Sequence, residues 1–310
     1  MMAIYTSAAD TSTNKDLYKV GSLRKLFDDT LKAVPMYYKE LVNETSTKLL
    51  TVRDMQDGGF EPATETVEGQ NIPLQSTVHG NQKEYTQRFF STGFRMTFVA
   101  DRYNKYNLWT NRTKKIAKAQ KVAKDVEIHV PFNSPTSTSL TCGTGFDSLA
   151  LASNTHTGLL AGSTADNFDN YLNAVPSYAA LESMRYYFKT KKDIMGSLAG
   201  GKATHIVFEP TLYPTMREMF GSTGKAWEDT NTLNWAGELG LKLVEDPRLT
   251  ATTRWFAIEK GEGYDFNVFT GMQPIMYVKD APDRTLDKVV MSQQHFTYGW
   301  GDSHGFFLGQ

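Results

Sequence analysis

Residues 47–100 limit the fold more than any other stretch of the chain. Gly58, Gly59, Gly69, Gly80 and Gly93 punctuate a segment rich in Thr and Gln. Between the glycines lie strand-like runs, the clearest being KEYTQRFFSTGFRMTFVAD, in which Phe94, Met96 and Phe98 alternate with Arg95 and Thr97. The part from Gly58 to Gly80 carries few large apolar side chains. Such a strand pair can hardly bury both faces in a core of its own. A β-meander within a compact sheet is one solution. A long hairpin that projects and packs on something else suits the composition better.

The strongest helical pattern follows at 101–129. At 100° per residue, Ile116, Ala119, Val122, Ala123 and Val126 fall on one side, and Lys114, Lys118 and Lys121 on the other. Eight Lys or Arg and no acid occur between Arg102 and Lys124. Solvated helix faces usually mix both signs, so this face is expected to look at something anionic. Pro131 is expected to end the helix.

Upstream, residues 1–15 read as extended or disordered. Leu23, Phe27, Leu31 and Val34 then share a helical face, Pro35 interrupts it, and MYYKELVNET reads as a second short helix. This leader looks like an arm. Downstream, 131–176 is a long irregular stretch of Ser, Thr, Asn and Gly, a type of loop that is usually functional or held by a partner. Helical spacing returns over 177–195, with Ala180, Met184, Tyr187 and Phe188 on one face. HIVFEP reads as a short buried strand closed by Pro210, TLYPTMREMFGS as a helix ending at Gly221, and LKLVEDP and RWFAIEKG as strands. Residues 200–270 thus alternate as an α/β subdomain does, and 274–310 read as strands again.

Most catalytic classes fail on chemistry. GSLAGGKA, from Gly196 to Ala203, nearly matches a phosphate-binding loop. That mechanism needs a strand before the loop and a helix after it, so that the helix N-terminus meets the phosphate. Here the expected order is helix, loop, strand, which presents the negative end of the helix. Ala203 also stands where the magnesium-binding hydroxyl belongs. Gly196 is expected as the helix C-cap, with Gly200 and Gly201 as turn residues. A nucleotide-binding enzyme using Gly196–Lys202 is the remote alternative. Cys142 and His156 sit in contexts that match no hydrolase pattern, and His156 is expected to bond backbone. The six histidines show no i, i+3 or i, i+4 pair and no CxxC occurs, so no metal and no cofactor are expected.

The formal net charge of −1 over 310 residues excludes a globally basic nucleic-acid binder. A single cysteine cannot form an internal disulfide. The opening residues lack the basic and apolar regions of a signal peptide, and no apolar run approaches a membrane span of about 18 residues. The expectation is a soluble protein made in a cytoplasm, with no membrane partner.

The order of parts resembles the major capsid proteins of tailed double-stranded DNA phages. TQRFFSTGFRMTFVADRYN resembles that family's hairpin strand running into its spine helix, and SLALASNTHTG its Ser–His loop. KATHIVFEPTLYPTMREMFGS and LKLVEDPRLTATTRWFAIEKG resemble the opening of its axial domain, and HFTYGWGDSHGFFLGQ its closing strand. The resemblance covers roughly residues 45–310 and implies an α+β fold. Its parts would be an N-terminal arm (1–46), an extended hairpin (47–100), a peripheral domain with the spine helix (101–197 and 272–310) and an axial domain (198–271).

It also implies a structural, non-enzymatic protein that self-assembles as hexamers and pentamers into an icosahedral head around double-stranded DNA. A nanocompartment shell of the same fold, enclosing an enzyme, is the alternative. Implied partners are further copies, a scaffolding protein, a portal and a decoration or cement protein. The implied location is the virion, assembled in the host cytoplasm. With the hairpin expected from near residue 47, a fused N-terminal scaffold of about a hundred residues is not expected, and either a separate scaffolding protein exists or none is needed. Lys83 lies where some relatives cross-link, but nothing singles it out, and no cross-link is expected. Lys114, Lys118 and Lys121 are expected to face the shell interior, meeting DNA or scaffold. Gly196, Gly200 and Gly201 are the expected domain hinge, and the segment from Gly221 to Trp235 is expected to set curvature.

Overall fold

A computed structural model describes residues 11–57, 60, 63–74, 79–103, 108–157, 167–192, 198–221, 234–261, 265–281 and 287–310. Helix α1 spans Thr11–Ala33, followed by strands β1 (Asn43–Ser46), β2 (Thr51–Asp57), β3 (His79–Thr86) and β4 (Arg88–Met96). Helices α2 (Phe98–Arg102) and α3 (Leu108–Asn133), strand β5 (Tyr171–Leu172) and helix α4 (Tyr178–Thr190) come next. The chain continues through β6 (His205–Phe208), α5 (Tyr213–Gly221), β7 (Lys242–Glu245), β8 (Trp255–Ile258), β9 (Phe266–Asp280), β10 (Lys288–Trp300) and β11 (Phe306–Gly309). Among the described residues three sheets form, with strand orders β1-β9-β10-β4, β5-β11-β8-β6-β7 and β2-β3.

The chain divides into two compact units. The first comprises 1–36, 87–127 and 270–296, and the second 37–86, 128–269 and 297–310. In the first, β10 pairs antiparallel with β4 from Lys288↔Met96 to Phe296↔Arg88. Leu23, Phe27 and Leu31 of α1 are buried in one cluster with Met96, Trp109, Ile116, Met276 and Val290. The leader is therefore helical from Thr11, and it buries its apolar stripe in its own subunit. The expected second short helix is only a 3₁₀ turn, Tyr38–Glu40, before β1. Long-range partners hold that turn. The Lys260 ammonium donates to the Lys39 carbonyl, and Lys242 pairs with Glu40 at 2.6 Å.

The second unit is built on a sheet covered on both sides. All four residues of β8 and all four of β11 are buried. Register puts Ile206, Ala257 and Phe307 in one row and Val207, Phe256 and Leu308 in the next. Alternation then sends Trp255, Ala257 and Phe307 to a cluster with α4 and α5, through Leu181, Met184, Phe188, Met216 and Met219. Phe256 and Phe306 turn the other way, onto Phe132 at 5.8 and 6.1 Å between ring centres. Strands buried on both faces read as continuous apolar runs, which is why HIVF, WFAI and FFLG stand out. Gly309 lies opposite Trp255, and a Cβ there would sit 2.1 Å from the indole.

Two expectations fail at α3. Pro131 lies inside the helix rather than at its end. Phe132, packed among Phe256, Phe266 and Phe306, holds the last turn, and Arg254 donates to the carbonyls of Phe132 and Asn133. The buried face is also rotated from the apolar wheel. Ala119 and Val126 are exposed, whereas Thr113, Gln120, Lys124 and His129 are buried. Each of the last three has a partner: Gln120 donates to the Ser292 carbonyl, Lys124 to the Thr270 hydroxyl, and His129 pairs with Asp246, all within 2.9 Å. Hydrophobicity alone misplaces a stripe in which Gln120, Lys124 and His129 are buried with partners.

The strand run expected through Phe98 divides at Gln87, β3 pairing with β2 and β4 with β10. Phe98 instead opens α2, capped by the Thr97 hydroxyl, which accepts from the Ala100 amide. Helix α4 matches its expected face, with Ala180, Met184, Tyr187 and Phe188 buried.

Replacing Gly309 with Ala forces a methyl group into the Trp255 ring. Overpacking of this kind costs about 1–3 kcal/mol. Urea unfolding of the unassembled Gly309→Ala subunit is expected to show a lower midpoint with an unchanged slope.

Candidate interaction surfaces

The near-match to a phosphate loop has the geometry of a helix stop. Helix α4 ends at Thr190, and Lys191 already leaves it with φ −59 and ψ 142. The end thus falls ahead of Gly196, the expected cap, which itself lies outside the described residues. Gly200 turns at φ +57, as glycine readily does. The Gly201 amide donates to the Phe188 carbonyl, and the Ala199 and Gly200 amides donate to the Lys191 carbonyl at 3.1 Å. These amides satisfy one orphan carbonyl of the helix, that of Phe188, and the carbonyl of the capping Lys191, and do not cradle an anion. The Glu259 carboxylate accepts from the Lys202 amide and pairs with the Lys191 ammonium. A carboxylate therefore sits where a phosphate would have to.

The ring of His156 bonds a carboxylate, not the expected backbone. It is buried, with Nδ1 2.5 Å from Asp147 and its face stacked on Phe168 at 4.6 Å. The Ser303 hydroxyl lies 3.4 Å from both ring nitrogens. Equal distances place it beside the ring, out of line with either lone pair, so no nucleophile–base pair forms. Cys142 is half-buried, its thiol directed at the Gly143 carbonyl. Among the described residues, no three His, Cys, Asp or Glu side chains converge as a metal site, and no helix is long and apolar enough to cross a membrane.

Two surfaces stand out instead. On α3, Lys114, Lys115 and Lys118 are exposed and Lys121 is half-buried. Lys124, counted in the same basic run, is internal. The second surface is the β2–β3 hairpin, whose residues from Asp54 to Gln82 include Asp54, Asp57, Glu61, Glu65 and Glu68 but no Lys or Arg. Its apolar side chains stay in solvent: Phe60 is 65% exposed, Ile72 78% and Leu74 95%. Counting charge by segment reveals this acid-only loop directly from sequence, as apolar periodicity does not.

The base of the hairpin, in contrast, is fastened. The Asn81 amide donates to the Phe146 carbonyl at 2.8 Å, and the Lys83 ammonium donates to the carbonyls of Thr144 and Trp300. Lys83 also lies over the rings of Tyr85 and Trp300. Burial pushes its ammonium down to about 8, against the opposing pull of Cys142, Asp265 and Asp54. Burial, with the nearby Asp54 charge, raises the Asp265 carboxyl to about 6.

The sequence model of a family described as phage capsid protein matches residues 82–308. No curated protein matches the chain by sequence. Among solved structures, the fold is similar to the capsid of the cyanophage P-SCSP1u, with TM-score 0.57, 11% identity, and 89% of this chain and 88% of that one covered. The procapsid of bacteriophage JBD30 gives TM-score 0.53 and 10% identity over 96% of this chain and 75% of that one. A virus-like particle from Pyrococcus furiosus gives TM-score 0.53 and 8% identity over 94% and 98%. At these identities the likeness is one of fold.

A carboxyl raised from 3.8 to about 6 holds its proton more tightly in the folded state. Its contribution to stability is full below the ordinary value and is lost as pH rises through about 6, by at most about 3 kcal/mol at 1.36 kcal/mol per unit. Urea midpoints of the unassembled subunit, followed from about pH 4 upward, are expected to carry this downward component. Asp265→Asn removes it. Identical pH profiles for the two proteins would show that Asp265 is not its source.

Proposed function

Because the chain belongs to the phage capsid protein family, whose model matches residues 82–308, we infer that it is the structural subunit of a phage head. Its role is to tile a closed shell, as hexamers and pentamers, around double-stranded DNA. The family match is the observation that carries this reading, and the shared capsid fold supports it. The likeness to the Pyrococcus furiosus particle is of fold alone, so the nanocompartment reading ranks second. The function is structural rather than catalytic, and the virion is its site of action, after assembly in the host cytoplasm.

The surfaces suit this work. Closed shells multiply weak contacts, because a subunit leaves only when all of them fail together. A hairpin with a fastened base and solvent-exposed Phe60, Ile72 and Leu74 has apolar area to bury on a neighbouring subunit. In the domain terms of the family, 1–46 is the arm, 47–100 the hairpin, 101–197 and 272–310 the peripheral domain, and 198–271 the axial domain. Lys114, Lys118 and Lys121 face inward in this reading, toward DNA phosphates or an acidic scaffold, by non-specific and salt-dependent attraction. Portal and cement proteins complete the set of partners. The curvature segment from Gly221 to Trp235 has 222–233 outside the described residues.

The hinge reading rests on Gly196, Gly200 and Gly201, of which Gly200 and Gly201 are among the described residues. Their amides are bonded to the carbonyls of Lys191 and Phe188, so a tilt of the domains at this loop must break those bonds. Equal tilt in immature and mature shells would remove the hinge.

Electron microscopy of the expressed chain, with and without its neighbouring genes, tests the main reading. Closed shells are expected, and a strictly monomeric particle under all conditions would overturn it. Replacing residues 60–74 by a short Gly-Ser link is expected to leave a folded subunit that forms no closed shells. The triple change Lys114→Glu, Lys118→Glu, Lys121→Glu is expected to lower the yield of DNA-filled heads while circular dichroism of the subunit stays unchanged. Normal filled heads would remove the interior assignment of these lysines.

A further inference from the structure

Beside the loop that ends α4 lies a cleft of about 240 Å³, which the shell reading does not use. Its floor is apolar: Met184 and Phe188 of α4 and Ala203, all buried. Leu239 and Leu241, half-buried, close the opposite wall. Its rim is cationic. Arg185 and Lys189 stand one helical turn apart on α4, and Lys202 reaches in from the loop, its ammonium 3.8 Å from the Cβ position of Gly240. All three cations are exposed, and among the described residues Glu238 is the single acid in the lining.

Among the described residues, the loop's own carboxylate is engaged elsewhere. Glu259, the nearest carboxylate of the loop, is taken by Lys191 and by the Lys202 amide. Gly200 and Gly201 point their amides at the end of α4. The cleft therefore offers ammonium and guanidinium groups but few backbone donors, which disfavours a bare phosphate. Its volume is below the roughly 300–1,000 Å³ of small-molecule sites and suits one or two apolar side chains. An apolar socket ringed by three cations against one acid is complementary to carboxylates flanking an apolar anchor.

We propose that this cleft docks an acidic segment of a separate polypeptide, inserting a Leu- or Phe-sized side chain between α4 and Leu239 and setting its carboxylates against Arg185, Lys189 and Lys202. Within this chain, the acid-only hairpin segment is the competing source of such chemistry.

Fluorescence anisotropy of a labelled peptide EELFEELLEE, titrated with the full chain, tests the proposal. Saturable binding that weakens with salt is expected. Affinity should fall roughly tenfold in the triple variant Arg185→Gln, Lys189→Gln, Lys202→Gln, from three exposed pairs. It should persist in Lys114→Gln, Lys118→Gln, which thins the basic face of α3, and the peptide KKLFKKLLKK should not bind. A second readout uses the unaltered protein, in which the acidic peptide should slow amide exchange within 198–203 and 237–241. Absence of binding, unchanged affinity in the cleft variant, loss in the α3 variant, or protection elsewhere would each overturn the proposal. So would binding of a peptide of residues 60–74 in place of the acidic one, which would assign the cleft to the hairpin of a second copy.

Discussion

Strand β8 has no exposed side, and the second unit is arranged around that fact. Trp255 and Ala257 need cover on one face, Phe256 and Ile258 on the other. Helices α4 and α5 supply the first through Leu181, Met184, Phe188, Met216 and Met219. Phe132 and Phe306 supply part of the second. Each large side chain buried in this way contributes about 1.5–3 kcal/mol, enough to override local preferences nearby. Helix α3 runs through Pro131 because Phe132 has a place to go. Position 309 must be glycine because Trp255 already fills the space.

The hairpin takes its fixed end from the last residue of β10 and from the loop around residues 144–146. Lys83 spends its ammonium on two carbonyls and two aromatic faces. A half-buried lysine bonded in this way is a structural anchor of the hairpin base, which gives a physical reason to expect no cross-link from it. Beyond the base, the loop carries acids and exposed apolar side chains without a core. Contact with a neighbouring subunit, as proposed for this loop, would give such a segment its order.

Some elements are legible in the order of residues alone. The faces of α4, the strands HIVF, LKLV and WFAI, and the helix–loop–strand order around Gly200 follow from periodicity and from the directionality of helix ends. The rotated face of α3 is not legible in this way, because Gln120, Lys124 and His129 are buried on the strength of partners far away in sequence. The same holds for His156, whose partners Asp147, Phe168 and Ser303 meet only in the folded chain. The cleft beside α4 is hidden for a related reason, since its rim joins α4 to Lys202 and its wall comes from residues 239–241.

By itself, the sequence determined the local period of each element, the reversed order that rules out a phosphate loop, and a family resemblance carried by stretches in a set order. Periodicity and helix polarity are properties of neighbouring residues, so they survive without a fold. Only the tertiary structure decided which face of α3 is inside, that Pro131 stays helical, that the leader is packed, and that Lys83 is an anchor. Each of these depends on burial against a distant segment, where the energy of a satisfied polar group or a filled cavity outweighs local propensity.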